Sequence, residues 1–173
     1  MRNKSLLTTT YTAVFTAVIL LSTMLITFST GLGEGYIHFG DCFIYITACV
    51  LPFPYCLIAA ALGGALADII GGYAVWAIPT AIIKMLIALP FALACRNKNA
   101  SKILCKKTAL MPVISGVITI GGYFLAECIL YSVASATLSL LGNTIQAVAS
   151  GVLFYIVATA LDKINFKRRI NNG

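Results

Sequence analysis

The sequence predicts an all-α, polytopic membrane protein, a single domain over residues 1–173 built as a bundle of six transmembrane helices. Three observations predict this class. Hydrophobic residues make up 60% of the chain and charged residues only 10%, which would leave large apolar patches on a water-soluble domain. The apolar stretches are continuous and do not alternate at period two, which favours helices over the strands of a membrane barrel. Glycine, proline and short polar clusters separate these stretches.

Six apolar segments follow one another along the chain. The second is barely half a span long and is closed by Pro52-Phe53-Pro54, so we expect it to pair with the preceding loop inside the protein. The third is rich in alanine and glycine, which lets neighbouring helices approach closely and favours a central position. The predicted segments are Thr9–Thr30, Asp41–Leu51, Tyr55–Ile70, Trp76–Cys95, Ala109–Ser135 and Asn143–Ile164.

The basic residues predict the orientation of the bundle. Six spans put both termini on the same side as the link between the fourth and fifth helices, and eleven of the twelve Lys and Arg residues fall there. The positive-inside rule makes this side, and therefore both termini, cytoplasmic. The links at residues 31–40, 71–75 and 136–142 lack Lys and Arg and are expected to face outward. The alternative for the first segment is a cleaved signal peptide, but its apolar run is longer than a signal core.

Several functions do not fit this sequence. The net charge of +7 has no soluble scaffold or interleaved aromatic residues to present it to nucleic acid, so we expect no nucleic-acid partner. Because no nucleophile–base arrangement, metal-ligand spacing or Walker motif occurs, we expect no enzyme activity, no catalytic residue, no metal and no cofactor. The cysteines form no CxxC pair and are interpreted as small buried hydrophobic residues. They are Cys42, Cys49, Cys56, Cys95, Cys105 and Cys128.

Charged side chains inside the helices are the first indication of a site. Lys84 lies within the fourth segment, where a charge costs several kcal/mol unless it is paired or hydrated. Asp68 and Glu127 are its candidate partners. Counting about 1.5 Å per residue places Asp68 near the outer surface, and Lys84 and Glu127 roughly a dozen ångströms below it. Such residues usually mark a solute path, although a purely structural ion pair is the alternative.

Other polar and aromatic residues gather at the same outer end. Asn143 and Gln146 open the sixth segment, Asp41 opens the second, and the link before it combines an acid, an aromatic residue and the single histidine. These three are Glu34, Tyr36 and His38, although His38 could also be a loop residue without a special role. Tyr73 and Trp76 could stack on a planar solute or anchor the helix at the lipid interface.

Two features of the chain resemble the substrate-binding membrane subunits, or S components, of bacterial energy-coupling factor (ECF) vitamin transporters. Ala13-Val14-Phe15-Thr16-Ala17 is similar to the AxxxA motif on the first helix of these subunits. The run from Ile37-His38-Phe39-Gly40-Asp41 through Ala65-Leu66-Ala67-Asp68 and Gly71-Gly72-Tyr73 to Pro79-Thr80-Ala81-Ile82-Ile83-Lys84 resembles the central signature of one branch. The ordered set is the more specific of the two, because small residues four apart are common in membrane helices.

The resemblance implies a subunit of the bacterial cell membrane that captures a vitamin or vitamin precursor from outside. Its partners would be one transmembrane coupling protein, which would contact Ala13 and Ala17, and two cytoplasmic ATPase subunits. The low net charge of the polar set suits a pyridoxine-, hydroxymethylpyrimidine- or ribazole-like heterocycle. The predicted substrate-binding residues are Glu34, Tyr36, His38, Asp41, Tyr73, Trp76, Lys84, Glu127, Asn143 and Gln146.

Two rival functions use the same features differently. A small channel would need a polar path through the inner half of the bundle, where the segments are almost purely apolar or small. A non-transporting membrane scaffold would use the alanine-rich faces for assembly and would leave the buried charges without a purpose. Internal packing is the corresponding alternative for Ala13 and Ala17.

Overall fold

The computed structural model describes residues 4–25, 27–29, 36–95 and 102–172, which form a helical bundle with one short β-hairpin. The hairpin strands are β1 (Thr27–Ser29) and β2 (Tyr36–His38). The helices are α1 (Lys4–Leu25), α2 (Gly40–Val50), α3 (Tyr55–Ile70), α4 (Ala77–Ala94), α5 (Met111–Leu130), α6 (Val133–Lys163) and α7 (Phe166–Asn172). Short 3-10 turns at Ala74–Trp76 and Thr108–Leu110 precede α4 and α5.

Four helices are long and apolar enough to cross a bilayer, namely α1, α4, α5 and α6. Large hydrophobic side chains are exposed along them, as lipid-facing surfaces require. The membrane helical bundle that the composition predicts is therefore confirmed. Helices α2 and α3 have only 11 and 16 residues, so the six-span arrangement and the cytoplasmic termini stay predictions.

The hairpin departs from the prediction that the first helix continues to Thr30. Helix α1 ends at Leu25, and Thr27–Ser29 instead pairs antiparallel with Tyr36–His38. The strand pairing gives the backbone groups of this segment hydrogen-bond partners outside the helix. The hairpin fixes His38 directly before α2, where the candidate site begins.

The boundary between the last two long helices also differs from the prediction. The chain breaks at Tyr131 and Ser132, and α6 then runs through Gly142 and Asn143 without interruption. The Ser132 side chain caps α6 by accepting a hydrogen bond from the Ser135 N–H at 3.2 Å. The link predicted at residues 136–142 is therefore helical, because a membrane helix keeps its backbone hydrogen bonds across isolated glycine and asparagine residues.

The short helix α2 lies in the centre of the bundle, packed against α1, α3, α4 and α6. Tyr45 of this helix is completely buried and stacks on Phe91, with ring centroids 4.5 Å apart. Helix α3 packs closely on both α1 and α4. A Cβ atom at Gly63 would lie 2.7 Å from Ile19, and one at Gly64 would lie 2.8 Å from Lys84 Cγ. These glycines allow the close approach that the small residues of α3 predict.

Candidate functional site

A buried ion pair between α2 and α4 is the centre of the candidate site. Lys84 Nζ lies 2.6 Å from Asp41 Oδ1, and both side chains are at most 1% exposed. The sequence analysis considered only Asp68 and Glu127 as partners of Lys84, whereas the ion pair in the structure is formed with Asp41. Because α2 is short and enclosed, its first turn lies at the depth of Lys84, which is seven residues into α4.

His38 and Gln146 complete the polar group around the ion pair. Gln146 Nε2 donates to Asp41 Oδ2 at 3.0 Å, and Gln146 Oε1 accepts from the His38 backbone N–H at 3.4 Å. The His38 ring lies between the Gly40 N–H, 3.1 Å from Nδ1, and Lys84 Nζ, 3.3 Å from Nε2. The first turn of α2 and the adjoining strand β2 therefore meet two helices that are distant in sequence, α4 and α6.

Burial and the neighbouring Lys84 ammonium lower the pKa of His38 to about 3. The imidazole is therefore neutral at physiological pH and has one donor and one acceptor nitrogen. Both of its ring nitrogens nevertheless face donors, the Gly40 amide and the Lys84 ammonium. One neutral ring cannot accept from both, so this corner has a surplus of hydrogen-bond donors.

An aromatic cluster adjoins the polar group. Trp76 is 7% exposed, and its ring lies 5.9 Å from both the Tyr123 and the Tyr131 rings. Lys84 Nζ lies 5.2 Å from the Tyr123 ring centroid, within cation–π range. Trp76 thus packs inside the protein, which argues against the alternative of a lipid-facing anchor. Tyr73, in contrast, is 41% exposed.

Two further buried acids lie at this end of the bundle. Glu127 is 2% exposed, and its Oε1 accepts a hydrogen bond from the Ser139 hydroxyl at 2.7 Å, which joins α5 to α6. Asp68, in the last turn of α3, is 5% exposed. Glu127 lies one helical turn beyond Tyr123 of the aromatic cluster on α5.

The remaining predicted residues lie in different parts of the chain. Asn143 is half-buried on α6, three residues before Gln146 and therefore on the same face. Tyr36 is placed by its backbone in β2, opposite Ser29. Glu34 lies outside the described residues. Ala13 and Ala17 are both exposed on α1, so they do not pack within the bundle.

The sequence analysis missed Tyr123, Tyr131 and Ser139. Tyr123 precedes Glu127 by four residues, so the two share a helix face, and this spacing could have indicated it. Ser139 contacts Glu127 only because α6 begins ten residues earlier than predicted.

We use the name polar–aromatic site for the polar group and the aromatic cluster together. Its residues are Asp41, Lys84, His38, Gln146, Trp76, Tyr123 and Tyr131.

The fold and this site define a class of protein, a multi-pass membrane protein with a buried polar–aromatic site at one end of its helical bundle. Comparison with known families matches residues 3–163 to the family described as "ECF-type riboflavin transporter, S component". The chain belongs to this family. It is therefore the substrate-binding subunit of a vitamin transporter in the cell membrane, a component that acts with a transmembrane coupling protein and an ATPase module.

The chain is also similar to a protein of Pyrococcus woesei described as "Uncharacterized protein in gap 3'region". The two are 30% identical over 134 residues, which cover 77% of this chain and 86% of that protein. The ECF resemblance seen in the sequence is confirmed by the family match.

Proposed function

We propose that the polar–aromatic site captures an uncharged, planar nitrogen heterocycle, and that riboflavin is the first candidate. The observation that carries this proposal is the closed Asp41–Lys84 ion pair beside three aromatic rings. The rings offer stacking surfaces, and the polar group offers hydrogen bonds to one edge of a flat solute. Riboflavin is the first candidate because the description of the matching family names it.

Hydrogen-bond donors outnumber acceptors around the His38 ring, which favours a solute with acceptor atoms on its edge. A carbonyl oxygen or ring nitrogen placed near Lys84 Nζ and His38 Nε2 would accept from both groups and relieve their competition. The pyrimidine-dione edge of a flavin has such carbonyl groups. Pyridoxine-, hydroxymethylpyrimidine- and ribazole-like compounds also have acceptor atoms and remain alternative substrates.

The charges of the site favour an uncharged solute. Lys84 is the only cation among the described residues of the polar–aromatic site, and Asp41 already pairs with it. Asp68 and Glu127 add further buried carboxyl groups at this end of the bundle. A phosphorylated vitamin would therefore have to displace Asp41 from Lys84, which leaves a buried carboxylate unpaired. We expect riboflavin to bind more tightly than its phosphate ester.

The proposed transport role includes the coupling partners and the topology. The exposed Ala13 and Ala17 lie one turn apart on α1 and form a small-residue surface on which a second membrane protein can pack. We propose that this surface binds the transmembrane coupling protein, which in turn binds two ATPase subunits. Six membrane passages with both termini in the cytoplasm complete this proposal, supported by the distribution of basic residues.

Binding and coupling are tested separately. Purified protein is titrated with riboflavin, its phosphate ester and the three alternative heterocycles, using tryptophan quenching and calorimetry. Lys84→Met should abolish binding, and Lys106→Met, at an exposed residue, is the matched control. Equal binding by wild type and Lys84→Met would refute the site.

For coupling, the Ala13→Leu, Ala17→Leu double variant is co-expressed with the coupling protein and ATPases. We expect loss of co-purification with solute binding retained, while Ala160→Leu, an exposed position on α6, should co-purify normally. Undiminished co-purification by the double variant would place the coupling surface elsewhere.

A further inference from the structure

Two cysteines meet at the end of the bundle opposite the polar–aromatic site. Cys49 lies in the last turn of α2 and is 3% exposed, and Cys95 directly follows α4 and is half-buried. Helices α2 and α4 pack against each other, with Asp41 beside Lys84 and Tyr45 stacked on Phe91. Cys49 and Cys95 lie one helical turn beyond this stacked pair, so the same register brings the two thiols together. The interpretation of the cysteines as small buried hydrophobic residues does not account for this contact.

A buried cation accompanies the two thiols. Lys167, on α7, is 3% exposed, and among the described residues its Nζ has no hydrogen-bond partner at ordinary distance. Its charge acts on the sulfur atoms of Cys95 and Cys49. A buried ammonium without an anion is costly, so a thiolate beside it would be stabilised.

The other titratable groups near these thiols are Asp162 and Cys105. Both carboxylate oxygens of Asp162 already accept backbone N–H groups, those of Ile103 at 2.7 Å and Leu104 at 2.9 Å. The Cys49 thiol and the Lys167 ammonium together lower the pKa of Cys95 to about 7, against the opposing effects of burial and Asp162.

We propose that Cys49 and Cys95 are a redox-reactive pair that a peroxide converts into a disulfide, with Lys167 as the positioning charge. The Cys95 thiolate attacks one peroxide oxygen, the O–O bond breaks, and the departing oxygen takes a proton and leaves as water or an alcohol. The Cys49 thiol then attacks the sulfenic sulfur of Cys95, so the S–S bond forms and the S–O bond breaks with loss of water. The two thiols together lose two electrons, which the peroxide gains.

This disulfide would tie together the two helices that carry the ion pair of the polar–aromatic site. Asp41 lies on α2 and Lys84 on α4, and the bond would fix the opposite ends of the same helices. The inference does not depend on which solute the site binds.

The experiment uses the full-length purified protein and hydrogen peroxide as the probe. After graded oxidation, free thiols are alkylated and the peptides are analysed by mass spectrometry. We expect a Cys49–Cys95 cross-link, and a wild-type rate that rises with pH with a midpoint near the Cys95 pKa of about 7. Cys95→Ser should leave Cys49 reduced under the same treatment.

Lys167→Met should slow the reaction at pH 7 by about fivefold or more and move its pH midpoint upward, because fewer thiolates form. Lys106→Met, at an exposed lysine, should react as wild type does. A Cys95–Cys105 cross-link, oxidation of Cys95 with Cys49 left free, or a wild-type midpoint near that of an ordinary thiol would overturn the proposal. The last result needs no variant, so it decides the matter even if Lys167→Met fails to fold.

Discussion

Replacing Lys84 with methionine tests whether the Asp41–Lys84 pair organises the bundle. Methionine has a similar length, so the change removes the charge with little loss of packing. Asp41 is fully buried and would retain only the Gln146 amide as a partner among the contacts described above. Removing one member of a buried ion pair costs about 3–5 kcal/mol. For a domain of this size, that corresponds to a decrease of about 10 °C in Tm.

Thermal unfolding in detergent, followed with a thiol-reactive dye, gives a direct assay. The fully enclosed Cys42 and Cys56 become reactive only when the bundle opens. Lys106→Met is the control for loss of a lysine charge at an exposed position. The double variant Asp41→Asn, Lys84→Met should reverse at least about half of the decrease in Tm, because it leaves no unpaired charge in the site. A Lys84→Met variant as stable as Lys106→Met would refute this reasoning.

Three further predictions concern the same site. Gly64→Ala should weaken solute binding and lower Tm, because the added Cβ would lie 2.8 Å from Lys84 Cγ. Gly121→Ala should change neither, because a Cβ at Gly121 has nothing within 4 Å. If the two variants had equal effects on Tm and on affinity, the packing argument would be contradicted. Because His38 is neutral in the folded protein and takes up a proton on unfolding, stability should fall as the pH decreases from about 6.5 towards 3. Between pH 8 and pH 5, the free energy of unfolding should fall by on the order of 2 kcal/mol less in His38→Gln than in the wild type, as measured by unfolding at each pH. The same pH dependence in both proteins would count against a buried neutral imidazole. Gln146→Leu should reduce affinity at least about tenfold in a titration, since it removes a hydrogen bond to Asp41 and a polar group of the site; wild-type affinity would exclude Gln146 from binding.

Much of the architecture could be predicted because membrane helices follow simple rules. Continuous apolar runs predicted the long helices, and Pro52 and Pro54 predicted the end of the short second helix, which the structure places at Val50. The small residues of α3 also indicated its close packing, which Gly63 and Gly64 provide. In these cases the local residue pattern and the bilayer impose the same structure.

The errors came from treating depth as a property of each segment alone. Asp41 was placed only at the start of the second segment and was not considered as a partner of Lys84, but α2 is enclosed by other helices and its start lies at the level of Lys84. Gly142 and Asn143 were taken as a break, whereas the continuous helix keeps their backbone groups hydrogen-bonded. Which acid reaches Lys84 depends on tertiary packing, and the sequence pattern carries no information about it.

Identifying the solute that the purified protein retains is the most direct test of the proposed capture role. The protein is purified in mild detergent from cells that supply vitamins, and the bound small molecules are released and identified by mass spectrometry. We expect one stoichiometric planar heterocycle, riboflavin first among the candidates, which is absent from Lys84→Met and present in Lys106→Met. A protein that retains no solute, and that neither riboflavin nor any of the alternative heterocycles stabilises against heat, would contradict vitamin capture by this site.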